Sequence, residues 1–397
     1  MHRGASPVPS LVRQFRGDLA DLPGWMSPGG DAPKEKHPMR TSGRSGQAGQ
    51  RATNVKPTRI YVIYTGGTIG MRQQGDGYAP SPGYLVDQLT YMPEFRSGLL
   101  PSFDVHEYES LLDSSNMLPS DWLTIARDIA IQHDNYDGFI VLHGTDTMAY
   151  TSSALAFLLP GLKKPVVVTG SQIPLCEVRN DARENLITSL MVASQPDLPE
   201  VCLSFGKRIL RGCRAVKVSA DRLNAFDSPN FPPIGAAKIA VEIRHDLVRK
   251  VPAELELIAP IIRRPEVAAL RLFPGISHQL IRSVLQPPLQ GLVLETYGVG
   301  NGPDRDQEIL RAIREATDAG VVVVACSQCL QGRVSLGVYE TGSALAQSGV
   351  IGGADMTPEA ALTKLTVLLG RGLDPGQVRD LMQVNLVGEL TPAEFAG

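Results

Sequence analysis

The chain has 397 residues, 43% of them hydrophobic and 20% charged, with a formal net charge of −3. That length allows two domains with sizeable cores, and the composition is ordinary for a globular protein. So small a charge offers no general attraction to phosphate, and no apolar run approaches the roughly 20 residues needed to span a bilayer, so neither nucleic acid nor membrane is an expected partner.

Residues 1–58 are rich in Gly, Pro, Ser, Arg and Lys and hold only isolated apolar patches such as Ser10-Leu11-Val12. A disordered N-terminal extension is expected there. It lacks the apolar run of a secretory signal, and its interspersed acidic residues speak against a transit peptide. The alternative is a true start at Met26 or Met39. The first clear strand is Arg59-Ile60-Tyr61-Val62-Ile63-Tyr64, which breaks into Thr65-Gly66-Gly67-Thr68. A buried strand ending in glycines places its turn where α/β proteins bind ligands, and presents the hydroxyls of Thr65 and Thr68 there. Met71–Pro82, polar and glycine-rich with Gly75, Gly77 and Tyr78, has the composition of a mobile lid rather than of a packed element.

A helix starts near Tyr84, and a short strand over Val105–Tyr108 leads to Asp113-Ser114-Ser115-Asn116. Ser120-Asp121-Trp122 is expected to cap an amphipathic helix carrying Trp122, Ile125, Ile129 and Ala130 on one face. Strand Gly138–Leu142 ends in His143-Gly144-Thr145-Asp146-Thr147, and strand 165–169 ends in Gly170-Ser171-Gln172. Helices over 148–159 and 181–193 and a strand over 201–205 complete a doubly wound α/β domain, 59–243. Charges and prolines over 244–264 read as a linker. A smaller α/β domain, 265–397, follows, with strands over 267–272, 291–296 and 321–326 and helices near 277–285, 304–318, 357–370 and 375–385.

The five cysteines, at 176, 202, 213, 326 and 329, are an odd number and fit a reducing compartment better than a disulfide framework. Cys326-Ser327-Gln328-Cys329 is a CxxC without the second pair that a structural zinc site requires; two small residues at a strand end is the favoured reading over a redox pair. His143 before Gly-Thr-Asp invites a Ser-His-Asp reading, but no serine occupies a nucleophile-elbow context. Thr65-Gly66-Gly67-Thr68 has neither the G-x-G-x-x-G spacing nor the Gly-Lys-Ser/Thr of a nucleotide loop.

Tyr64-Thr65-Gly66-Gly67-Thr68-Ile69-Gly70-Met71 and His143-Gly144-Thr145-Asp146-Thr147-Met148-Ala149-Tyr150 resemble the two signature motifs of bacterial-type L-asparaginases, closest to the cytoplasmic type I enzymes. Asp113-Ser114-Ser115, Val168–Leu175, Tyr297-Gly298-Val299-Gly300-Asn301 and Gly352–Thr357 agree, so the resemblance runs from about Arg59 to near Leu390. It implies the two-domain asparaginase-like fold, a cytoplasmic homodimer or homotetramer, and neither metal nor other cofactor. The implied reaction is hydrolysis of L-asparagine, with L-glutamine a weak alternative, to the acid and ammonia through an acyl-enzyme. Amide hydrolysis needs an activated nucleophile, a base, and donors for the oxyanion. The resemblance assigns Thr68 as nucleophile and Tyr78 as the lid tyrosine touching its hydroxyl. It places Thr145, Asp146 and Lys217 in a second constellation, with lysine drawing the threonine proton. Asp113 and Ser114 would grip the substrate's α-amino and α-carboxyl groups, Gln172 would line the pocket through its backbone, and Gly67 and Gly144 would free N–H groups for the oxyanion. Some type I relatives carry a regulatory asparagine site whose equivalents here include Val216, Glu295 and Cys329. A threonine and an arginine are expected at the first two, so activation by asparagine is not expected. A non-catalytic amino-acid sensor is the rival on this fold, but binding needs no nucleophile. A glutaminase-leaning enzyme or a lysophospholipase module is the rival hydrolase.

Overall fold

The computed structural model describes residues 58–392 except 76, 252–262 and 338. The expected extension (1–57) and most of the expected linker lie outside the described residues. In the N-terminal part the strands are β1 (Arg59–Gly66), β2 (Met71–Gln74), β3 (Gly77–Pro80), β4 (Ser102–Leu112), β5 (Gly138–Leu142), β6 (Val166–Thr169), β7 (Val201–Phe205), β8 (Arg208–Arg211), β9 (Val216–Lys217), β10 (Phe226–Asp227), β11 (Gly235–Ala237) and β12 (Val241–Ile243). The helices there are α1 (Tyr84–Tyr91), α2 (Pro93–Arg96), α3 (Pro119–Gln132), α4 (Met148–Leu158) and α5 (Ala182–Ala193).

An eight-stranded sheet has the order β12-β11-β8-β7-β6-β5-β1-β4. From β4 to β7 the neighbours are parallel, and the β7–β8, β8–β11 and β11–β12 pairs are antiparallel. β1 lies between β4 and β5, so the chain leaves it to one side and returns on the other. That makes the carboxyl end of β1 the topological switch point, where open α/β sheets bind ligands. β1 is buried almost throughout because both faces are covered. Tyr61 and Ile63 join the core under α3 and α4, while Ile60, Val62 and Tyr64 join the core under α1 and α5.

Four expectations change. Residues 71–80 form an antiparallel hairpin, Met71 opposite Pro80 and Gln73 opposite Tyr78, rather than an unstructured lid. The short strand at 105–108 is an 11-residue edge strand. Helix α3 starts at Pro119, ahead of the expected capping segment, and within that segment Asp121 acts at the entry by accepting the Leu118 N–H at 2.7 Å. Ala126, not Ala130, completes its buried face.

The C-terminal part is a four-stranded parallel sheet in sequential order, β13 (Val267–Arg271), β14 (Gly291–Thr296), β15 (Val322–Ser327) and β16 (Ile351–Gly352). Helices α6 (His278–Val284) and α7 (Gln307–Asp318) cover one face, with Ile281, Ile309 and Ile313 packed on Leu292, Leu294 and Val323. Beyond them come α8 (Glu340–Gln347), α9 (Pro358–Gly370) and α10 (Pro375–Met382). Residues of α9 and α10 join Val293, Val322 and Val324 in the same core as α4 of the large sheet. Buried ions cross the same boundary: the Arg214 guanidinium donates to Asp355 at 2.9 Å and to the Gly388 carbonyl at 2.7 Å.

Candidate active site

Three loops at the carboxyl ends of neighbouring strands meet at the switch point. Gly66 and Gly67 follow β1 with φ of 121° and 87°, values that side chains oppose. A Cβ on Gly67 would lie 2.4 Å from the Gly144 nitrogen, and one on Gly144 would lie 2.5 Å from Ser114 Oγ. The turn after β1 therefore meets the ends of β4 and β5 backbone to backbone, and the turn after β5 packs on the Ser114 side chain; only glycine permits these approaches. Thr147 Oγ1 donates to the Ser114 carbonyl at 2.8 Å, tying the second and third loops together.

Around Thr145 the polar groups are saturated. Lys217 reaches it from β9, a two-residue strand held by β10 through pairing with Phe226. Its ammonium donates to Thr145 Oγ1 at 2.9 Å and to Asp146 Oδ1 at 2.6 Å. The Lys217 side chain is 20% exposed and that of Asp146 63%, so the pair sits at the cleft mouth, not in the core. Thr145 Oγ1 donates to Gln172 Oε1 at 3.0 Å. Below it, His143 is fully buried, and burial pushes its pKa down to about 4, so the imidazole is neutral. Nδ1 lies 2.7 Å from the Gly144 carbonyl, which only accepts, so the proton is on Nδ1. Nε2 then accepts from Thr151 Oγ1 at 2.8 Å, and that oxygen accepts the Trp122 indole N–H at 3.1 Å. His143 thus clamps the Gly144 carbonyl and pairs with no serine nucleophile.

Thr68 is half-buried at the start of a one-turn 3-10 segment, and its hydroxyl has no hydrogen-bond partner among the described residues. Tyr78, on β3, is 47% exposed, and its hydroxyl donates to Glu177 Oε1 at 2.5 Å instead of contacting Thr68. That bond raises its pKa. Asp113 is exposed and accepts the Ser115 N–H at 3.1 Å, while Ser114 is buried.

Three expectations need correcting. Thr65 is buried and donates to the β5 carbonyl of Leu142 at 2.9 Å, so it fastens β1 to β5. The Gly67 N–H donates to the Leu112 carbonyl at 3.0 Å and does not face the cleft as an oxyanion donor. Gln172 meets Thr145 through its side chain; its backbone N–H donates to Asp181 at 3.1 and 3.0 Å. Asp181, Glu177 and the His143–Thr151 clamp went unread in the sequence. The one available signal was Asp181, standing at the start of a helix.

Lysine 217's neighbour Val216 faces a second cavity of about 220 Å³ between the two sheets, shared with Tyr150, Arg271, Glu295, Cys329 and Glu359. All three residues named for the regulatory equivalent gather there. Glu295 stands 3.5 Å from Arg271, its register partner on β13. Burial raises the Glu359 pKa, and the charge of Glu295 adds to the shift. Of the CxxC, Cys326 is buried, with its thiol pushed up to about 12, and Cys329 is exposed; both are free thiols. Among the described residues no group of three His, Cys, Asp or Glu could hold a metal ion, and no helix is long and apolar enough to cross a membrane.

The N-terminal asparaginase family profile matches residues 59–249, and the glutaminase/asparaginase C-terminal domain matches 266–382. The chain is 50% identical to L-asparaginase 1 of Escherichia coli K12, over 84% of this chain and 98% of the relative. It is 42% identical to the 60 kDa lysophospholipase of Mus musculus, over 84% of this chain and 62% of that one. The crystal structure of L-asparaginase I from Vibrio cholerae superposes with a TM-score of 0.78 at 46% identity, covering 85% of this chain and all of the other. With both halves of the fold, the switch-point loops and these relatives in agreement, the chain belongs to the asparaginase family and is an amidohydrolase of the bacterial L-asparaginase type.

Proposed function

We propose that the protein hydrolyses L-asparagine to aspartate and ammonia, with Thr68 as nucleophile and an aspartyl-enzyme as intermediate. The observation that carries the reading is the meeting of the Gly67, Ser114 and Gly144 loops beside the Lys217–Thr145–Asp146 group. Thr68 Oγ attacks the carboxamide carbon, the C–N bond breaks as the nitrogen is protonated, and ammonia leaves. Water then adds to the ester carbon and releases Thr68. Tyr78 serves the first step after leaving Glu177. Lys217, when neutral, accepts the proton from Thr145 or, through it, from the attacking water; Asp146 orients the amine. Asp113 suits the substrate's ammonium, and the buried hydroxyl of Ser114 suits its carboxylate.

Glutamine is longer by one methylene, a difference worth about 1–3 kcal/mol in a pocket, and it is proposed as the weaker substrate. A homo-oligomer working in the cytoplasm is part of the same proposal. Ammonia release from asparagine and glutamine, measured side by side over a concentration series, tests the substrate. Thr68→Ala and Thr145→Ala should each lower kcat by about 10³-fold or more while the thermal midpoint stays put. Native ammonia release by Thr68→Ala would remove it as nucleophile. Cleavage of a lysophospholipid with no ammonia from asparagine would replace the reaction altogether.

A further inference from the structure

Gln172 carries one acceptor and two donors on its amide. Nε2 lies 3.1 Å from the Ala220 carbonyl and 3.3 Å from the Arg222 carbonyl, both of which only accept. The nitrogen must face them, which turns Oε1 to Thr145 Oγ1 at 3.0 Å. An amide oxygen cannot donate, so the single hydroxyl proton of Thr145 points to Gln172. Lys217 therefore donates into a Thr145 lone pair. Before lysine can take this proton, the hydroxyl must turn away from Gln172.

Gln172 is held in turn by Asp181. That residue precedes α5 in the cap position, yet its carboxylate accepts no backbone N–H of its own helix. Its oxygens instead take the backbone N–H of Gln172 at 3.1 and 3.0 Å and of Ile173 at 3.0 Å, and the Asn185 amide at 3.1 Å. Asn185 also donates to the Gly170 carbonyl at 3.0 Å. An aspartate in that position usually caps its helix, and here the carboxylate is turned to the loop carrying Gln172.

We propose that Gln172 is a positioning residue fixing the direction of the Thr145 proton, and that Asp181 acts through Gln172. The inference rests on the reading of Thr145 as part of the hydrolytic centre. Gln172→Met keeps the length and removes the acceptor, so the Thr145 hydroxyl is no longer held in one direction and its lone pair is no longer fixed toward the Lys217 ammonium.

The test is ammonia release from asparagine across pH, with full-length Gln172→Met, Asp181→Asn and the double variant, each checked by thermal unfolding. Gln172→Met should lower kcat by about tenfold with KM within about twofold, and change the pH dependence of kcat. Asp181→Asn should give a similar loss and the same change. The double variant should lose no more than about twofold beyond either, as residues acting through one another do. A Gln172→Met enzyme with native kcat overturns the proposal, as does an unchanged pH profile. Multiplicative losses in the double variant would detach Asp181 from Gln172 and overturn that part. If Asp181→Asn fails to fold, Asp181→Glu, which displaces the carboxylate by one methylene, carries the same comparison. An active Thr145→Ala enzyme would instead remove the underlying reading.

Discussion

The two threonine loops of the cleft are built in opposite ways. Thr145 is buried, its hydroxyl lies between Lys217 and Gln172, and the backbone beside it is clamped by His143 from below. Thr68 is half-buried and followed by a hairpin whose Tyr78 reaches out to Glu177. One side is fixed by hydrogen bonds before any substrate arrives, while the other has to be completed. Preorganised groups avoid reorganisation during the reaction, and an open side admits substrate. On the proposed mechanism, the two signature motifs divide these tasks between them.

Substitutions test this contrast at different strengths. Lys217→Met removes the donor at the centre of the fixed side; kcat should fall by about 10³-fold with an unchanged thermal midpoint, and a loss below tenfold would mean that the lysine only supports structure. The clamp has a pH signature. Above the ordinary histidine value of 6.5 both folded and unfolded chains hold neutral imidazole. As pH falls from 6.5 toward about 4, the unfolded chain binds a proton that folded His143 refuses, so stability falls across that window by up to about 3 kcal/mol. Urea midpoints at several pH values should show the decline, and His143→Gln, which can still donate to the Gly144 carbonyl, should flatten it. On the open side, Tyr78→Phe should lower kcat by about 10- to 100-fold and leave the thermal midpoint unmoved, since the hydroxyl contacts only exposed Glu177. A shifted midpoint would make the hairpin as structural as its counterpart. The smallest expected effect is at the junction cavity: with Val216 and Glu295 there, rate against asparagine should be hyperbolic, and a sigmoidal curve would restore regulation.

Much of this was legible in the chain. The apolar runs that became β1, β5 and β6 read as buried parallel strands because sequence and burial carry the same signal there. The hairpin β2–β3 was not legible, since Met71–Gln74 and Gly77–Pro80 bury little and no apolar alternation marks them. Neither was the antiparallel end of the large sheet, whose strands β11 and β12 are three residues long. In the site, motif order named Thr68, Thr145, Asp146 and Lys217. It could not tell a side-chain contact of Gln172 from a backbone one, because that depends on which carbonyls surround the amide. Asp181 read as a helix start, and only the fold shows its carboxylate accepting the backbone N–H groups of Gln172 and Ile173.

Helix α4 follows the Thr145 loop directly, and Leu155, Phe157 and Leu158 share one apolar interior with Ala361, Leu365 and Leu368 of α9. Cutting the chain near 264 would expose that seam to water, so the catalytic half should not survive as an independent fragment. Calorimetry of the intact enzyme should accordingly record one cooperative melting event for both halves, with no step at which the first outlives the second.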